Sequence, residues 1–70
     1  MDMISVNSSA ISKVGYDADT ATLVLEFTKG NVYEYYDVPQ YEYDGLMSAE
    51  SAGSYASKNI YKAYTQNKIG

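Results

Sequence analysis

The chain contains no cysteine and no histidine, and its five basic residues are all lysine. Without cysteine there is no disulfide to brace so small a domain, and no thiol nucleophile. Without histidine as well, the usual general base and the nitrogen and sulfur ligands of a transition-metal site are missing. Nucleic-acid affinity comes mainly from cationic contacts to phosphate. Nine acids against five lysines, a net charge of −4, start poorly for that role. No apolar run approaches the roughly 18 residues of a membrane-spanning helix. The stretch Met1-Asp2-Met3-Ile4-Ser5 has neither the basic region nor the apolar segment of a signal peptide, so a cytoplasmic location is expected.

What is present is tyrosine. From Tyr33 to Asp44 the sequence reads Tyr-Glu-Tyr-Tyr-Asp-Val-Pro-Gln-Tyr-Glu-Tyr-Asp, with five tyrosines and four acids in twelve residues. Tyrosine joins a large apolar ring to a polar tip and serves equally a core or a contact surface. The first half alternates as a strand does. Pro39 breaks the alternation, so one tyrosine set belongs to a sheet and the other to a helix.

The remaining pattern defines one domain. Ser9 to Tyr16 reads as a strand with a twist or bulge at Gly15, and Asp17 to Thr20 as a turn. Ala21 to Phe27 is the clearest strand, with Leu23, Leu25 and Phe27 on one face and Thr22, Val24 and Glu26 on the other. A three-residue loop, Thr28-Lys29-Gly30, places Leu25 opposite Tyr33 and Leu23 opposite Tyr35, with Gly30 in the left-handed position. A two-residue loop would put Glu34 on the apolar face instead. The turn at Asp17 to Thr20 pairs Val14 with Leu23 and Tyr16 with Ala21. Val38 before Pro39 marks a boundary, and a short helix follows to Met47. A second helix from Ala52 to Thr65, capped by Ser51, lays Tyr55, Ala56 and Ile60 over the sheet. The expected fold is α+β: a three-stranded antiparallel β-meander followed by two α-helices packed on one face. Residues 1–8 form a lead-in, 9–65 the domain, and 66–70 a frayed tail.

The ordered set Ser8-Ser9, Val14-Gly15-Tyr16-Asp17, Glu26-Phe27, Gly30, Tyr33-Glu34-Tyr35, Val38-Pro39, Ala49-Glu50-Ser51-Ala52-Gly53 and Ile60-Tyr61-Lys62-Ala63-Tyr64 resembles the KTSC domain. That small module is named from the C-terminal region of some lysyl-tRNA synthetases and also occurs as short stand-alone proteins in bacteria and phages. The resemblance covers about residues 6 to 64. It implies the fold of that module, for which RNA binding has been suggested.

No residue set supports catalysis, a cofactor or a metal site. Ser51 to Ser54 beside Lys58 reads as a helix start, and Asp17 with Asp19 as a turn. The expected function is a small non-catalytic interaction module that binds a protein partner through Tyr36, Tyr41, Tyr43, Glu34 and Glu42. The alternative is an RNA- or nucleic-acid-binding module using Lys58, Tyr61 and Lys62, the one basic-aromatic grouping. Tyr33 and Tyr35 are assigned to the core. The sheet face carrying Val24 and Tyr36, or an open strand edge, is expected to favour weak homodimerisation or a docked partner.

Overall fold

The computed structural model describes residues 2–70. Five strands and two helices follow in the order β1 (Met3–Ser5), β2 (Ile11–Asp17), β3 (Thr22–Phe27), β4 (Val32–Tyr35), α1 (Gln40–Ser48), α2 (Ala52–Asn59) and β5 (Gln66–Lys68). The strands form one antiparallel sheet in sequence order, β1 to β5. The α+β class is as expected, but the sheet has five strands rather than three. The described part of the lead-in supplies β1, and the tail expected to fray supplies β5. Residue 1 lies outside the described residues.

The β3–β4 hairpin has the expected register: Leu23 faces Tyr35 and Leu25 faces Tyr33. The loop closes through Gly30 N–H donating to Phe27 C=O at 2.9 Å, and Gly30 has φ +100°. A side chain is disfavoured at that φ, so this glycine sets the register and with it which face is buried. The β2–β3 register differs from the expected one by two residues: Val14 faces Leu25 and Tyr16 faces Leu23. An even slip preserves the faces. The turn is instead built from Ala18 to Ala21. Asp17 Oδ1 accepts the N–H of Asp19, and Ala21 sits at φ +54°.

The bulge lies at Ser12, not at Gly15. Ile11 pairs with Phe27 and Lys13 with Glu26, so one extra residue is inserted on β2. Ser12 Oγ donates to the Glu26 carbonyl and carboxylate, at 3.2 and 3.0 Å. Strict alternation from Val14 would send residue 11 to the wrong side of the insertion. The bulge restores it, and Ile11 is fully buried with Val14, Leu23 and Leu25. Gly15 lies on the opposite face, in the row Met3, Gly15, Val24, Glu34, Asn67 that crosses all five strands. With two strands on either side, Val24 is buried without a second chain. The outer face therefore does not present Val24 to a partner.

Both helices cover the inner face. Leu46 from α1, Ala52 and Ala56 from α2, and Ile60 just beyond it join Ile11, Val14, Leu23, Leu25, Tyr35 and Val38 in one core. Pro39 is the N-cap of α1 and has the extended backbone usual at that position. Val38 is locked from both sides: its N–H donates to Ala21 C=O at 2.9 Å, and its carbonyl accepts the Tyr16 hydroxyl at 2.6 Å. Ser51 Oγ caps α2 by accepting the Ser54 N–H. A Cβ on Gly53 would come within 3.0 Å of Ser8 Oγ and 3.2 Å of Ala10 Cβ, so this glycine lets α2 approach the chain leading into β2.

Helix α2 ends at Asn59 rather than Thr65. Tyr61 N–H turns back onto the Ala56 carbonyl and Ala63 N–H onto that of Ile60. The apolar spacing beyond Ile60 thus marks a turn in which Tyr61 and Tyr64 face different elements. Removing buried side chains should show where the core lies. Leu46→Ala should cost about 2–5 kcal/mol in denaturant unfolding. Phe27→Ala should cost less than that, because Phe27 is only partly buried. Hydrogen exchange should find the Ile69 amide protected, since it donates to the Val32 carbonyl at 2.8 Å; exchange at the rate of an unstructured peptide would show that β5 does not pair.

Candidate functional site

The sheet's inner face is only partly roofed. Beyond the helices, at the β4–β5 side, it opens into a cleft of about 380 Å³ lined by Phe27, Tyr33, Tyr35, Tyr61, Lys62 and Gln66. Phe27 comes from the end of β3, Tyr33 and Tyr35 from β4, and Gln66 from β5. The turn after α2 supplies Tyr61 and Lys62. The rings pack edge to face or tilted: Phe27 and Tyr33 lie 5.9 Å apart at 84°, Phe27 and Tyr61 5.9 Å apart at 56°. These separations are those of favourable aromatic pairs. Lys68 stands opposite Tyr33 in the β4–β5 register and so shares this face.

Burial, with the neighbouring phenols Tyr61 and Tyr33, pushes the Tyr35 hydroxyl up to about 12. Burial also raises Tyr61. These tyrosines are therefore neutral at ordinary pH and offer rings and hydroxyls rather than a base. An aromatic wall beside an ammonium and a carboxamide can hold an apolar or aromatic group carrying negative charge. It has no nucleophile poised by a partner base. Among the described residues there is no cluster of three or more acidic, histidine or cysteine side chains able to hold a metal ion.

One wall of the cleft is positioned by Glu42. This α1 carboxylate is 8 % exposed and accepts the Tyr55 hydroxyl at 2.7 Å and the Tyr64 hydroxyl at 2.8 Å. A buried charge is costly unless it is hydrogen-bonded, and here both oxygens are used. Tyr55 lies on α2 and Tyr64 just before β5, so one side chain ties α1, α2 and the Tyr61–Tyr64 turn together. The hydrogen bond to Glu42 moves Tyr55 from 10.0 to about 12, with burial adding to the effect. Tyr64 rises as well, chiefly through burial and then through its bond to Glu42. Gly45 makes room for this bond: a Cβ there would collide with the Tyr55 hydroxyl and lie 2.7 Å from its Cζ.

The residues expected to form a tyrosine-acid contact surface are dispersed. Glu42 is buried, with both carboxylate oxygens taken by the Tyr55 and Tyr64 hydroxyls. Tyr43 is turned inward and stacks on Tyr16, with centroids 5.1 Å apart and planes at 13°. Glu34 and Tyr36 lie on the outer side of the sheet, where the Tyr36 hydroxyl donates to Glu34 at 2.8 Å. Tyr41 is 69 % exposed, with its hydroxyl near the Tyr64 and Tyr55 phenols. The alternative grouping is split as well. Lys58 lines a separate groove on α2 with Glu50, Ser51, Ser54 and Tyr55, whereas Tyr61 and Lys62 face the aromatic cleft. Tyr33 is partly exposed there, and its assignment to the closed core misses the cleft. The signal that could have revealed it is the polar Gln66 to Lys68 segment, whose pairing with β4 leaves no large apolar side chain to cover Tyr33.

The chain belongs to the KTSC domain family, whose model matches residues 7–64. It is 46 % identical over 55 residues to a protein of Tsukamurella paurometabola, covering 79 % of this chain and 82 % of that one. It is 36 % identical over 58 residues to a lysine–tRNA ligase of Nostoc punctiforme, covering 83 % of this chain but only 10 % of the ligase. The crystal structure of a KTSC domain protein from Yersinia pestis superimposes with a TM-score of 0.93 at 34 % identity, covering 99 % of this chain and 97 % of that one. No helix among the described residues is long and apolar enough to cross a membrane.

The Glu42 cluster generates two expectations. Gly45→Ala should destabilise by about 1–3 kcal/mol through overpacking, despite alanine's better helix propensity. Tyr55→Phe should cost about 1.5 kcal/mol, the low end for a bond to a charged group, because the pair is only part-buried. Raised tyrosine values mean the folded state holds these protons more tightly than the unfolded chain. Their contribution is complete below about pH 10, the unfolded tyrosine value. It is lost as pH climbs through the Tyr55 value of about 12. Parallel denaturation and tyrosinate absorbance titrations of wild type and Tyr55→Phe should show that loss shrinking in the variant.

Proposed function

We propose that this domain is a non-catalytic interaction module that docks a protein partner in the cleft between Phe27, Tyr33, Tyr35 and Tyr61. The observation that carries this reading is a concave aromatic surface left open on an otherwise covered sheet face. Three partly exposed rings, Phe27, Tyr33 and Tyr61, over the buried Tyr35 resemble the centre of an interaction site, where buried aromatics carry most of the binding energy. Lys62 on the rim and Lys68 in register with Tyr33 favour a partner segment with acidic residues beside an apolar or aromatic one. Tyr36, Glu34 and Tyr41, the accessible members of the tyrosine-acid set, lie outside this cleft and would contribute only at its margins or elsewhere.

A second reading is single-stranded RNA, with bases stacked on the same rings. It is favoured by the presence of Tyr61 and Lys62 in the cleft and by the lysine–tRNA ligases among the similar proteins. Two lysines on an acidic, arginine-free chain make it the weaker reading. If only Lys62 and Lys68 met phosphate, the salt slope would be shallow, about −1.4 on a log–log plot.

Nuclear magnetic resonance titration decides between them. The peptide acetyl-Asp-Tyr-Asp-amide should shift the signals of Tyr33, Tyr61 and Lys62, and Lys62→Glu should abolish the shift. A uridine oligonucleotide should bind more weakly than about 1 µM at physiological salt. No shift with the peptide, together with sub-micromolar oligonucleotide binding lost in Lys62→Glu, would replace the protein-partner reading with the RNA one.

A further inference from the structure

We propose that the aromatic cleft accepts a second copy of this chain, through the exposed Tyr41 and Asp44 of α1. This rests on the reading of the cleft as a docking site for protein side chains, and it names the partner. Tyr41 is the most exposed of the large hydrophobic side chains left at the surface among the described residues, at 69 %. Its two successors turn inward, Glu42 to the Tyr55 and Tyr64 hydroxyls and Tyr43 onto Tyr16. Tyr41 instead lies along the surface, its hydroxyl close to the Tyr64 and Tyr55 phenols, with most of the ring left open to solvent.

Asp44 lies three residues on, on the same side of the helix, and is exposed. Gln40 Nε2 donates to its Oδ1 at 3.3 Å, which steadies the carboxylate beside the ring. Helix α1 holds no lysine, so this face is an aromatic tip with uncompensated negative charge. The cleft is its chemical complement: aromatic walls, the Lys62 ammonium on the rim, and Lys68 in register with Tyr33. A phenol inserted among Phe27, Tyr33 and Tyr61 would find ring partners at the separations those rings already adopt with one another. Asp44 would then meet the lysines across the rim, where opposite charges steer encounter and set orientation.

The contact joins two different patches, and each copy offers one tip and one cleft, so two copies can exchange them about a two-fold axis or continue head to tail. One ring and one ion pair make a small interface, and the expected dissociation constant is roughly 10 µM to 1 mM, in the range of transient encounters. This geometry gives a test that a generic sticky surface would fail. Tyr41→Ala lacks the tip and keeps the cleft; Lys62→Glu keeps the tip and spoils the cleft. Both positions are exposed, so neither variant should unfold.

Sedimentation velocity across a concentration series should show wild-type mass rising toward millimolar protein and falling back with added salt. Each variant alone should raise the dissociation constant at least tenfold. An equimolar mixture of the two should associate again and stop at two chains, since only one productive contact remains. A wild type that stays monomeric to about 1 mM, a Tyr41→Ala protein that associates as wild type does, or a mixture that fails to recover would each overturn the proposal. The peptide acetyl-Asp-Tyr-Asp-amide separates its failure from that of the docking reading. Shifts at Tyr33 and Tyr61 with a monomeric wild type would exclude the second copy and leave the cleft a site for a foreign protein. The absence of both would remove the cleft reading as well.

Discussion

The Glu42 carboxylate is the constraint on which the rest of the architecture turns. An unpaired charge at that depth would cost more than so small a core can offset. Two tyrosine hydroxyls remove the penalty, and because they come from α2 and from the turn before β5, satisfying one side chain fixes the relative placement of three segments. Gly45 belongs to the same arrangement: its missing side chain is the space through which the Tyr55 hydroxyl reaches the carboxylate. The fold thus accepts a helix-weakening residue to complete a buried polar network.

That network also explains why the cleft exists. Tyr64 anchored on Glu42 and Tyr36 N–H bonded to the Thr65 carbonyl hold the 60–65 turn against β4 and start β5. Tyr61 and Lys62 are carried over the sheet at that turn, while Gln66 to Lys68 pair along Tyr35 to Tyr33. The strand so added is polar and brings no large apolar side chain to close the inner face. The aromatic floor stays open because the strand paired there, Gln66 to Lys68, is polar.

Much of this was legible in the residues. The Thr28-Lys29-Gly30 loop, the alternation of Leu23, Leu25 and Phe27, the break at Val38-Pro39 and the Ser51 cap each have a local physical cause, and each is found where expected. What escaped depends on distant partners. Met3–Ser5 and Gln66–Lys68 are three-residue strands, too short to show a period, and they exist only because β2 and β4 offer edges. The Ser12 bulge hides Ile11 from an alternation count. The site was least legible of all. Tyr33 to Asp44 looks like one surface, yet alternation along β4 sends Glu34 and Tyr36 outward, and beyond the left-handed Asp37, at φ +57°, and Pro39, helix α1 turns Glu42 and Tyr43 inward and leaves Tyr41 exposed.

The sequential strand order has a consequence for how such a unit can be joined to other polypeptide. The first and last strands are the two outer edges of the sheet, so the chain enters and leaves on opposite sides. Four strand spacings separate them, roughly 19 Å at the usual spacing of about 4.8 Å between neighbours. A domain attached ahead of β1 would therefore join at the margin farthest from β5. One attached behind β5 would join at the margin that carries Lys68.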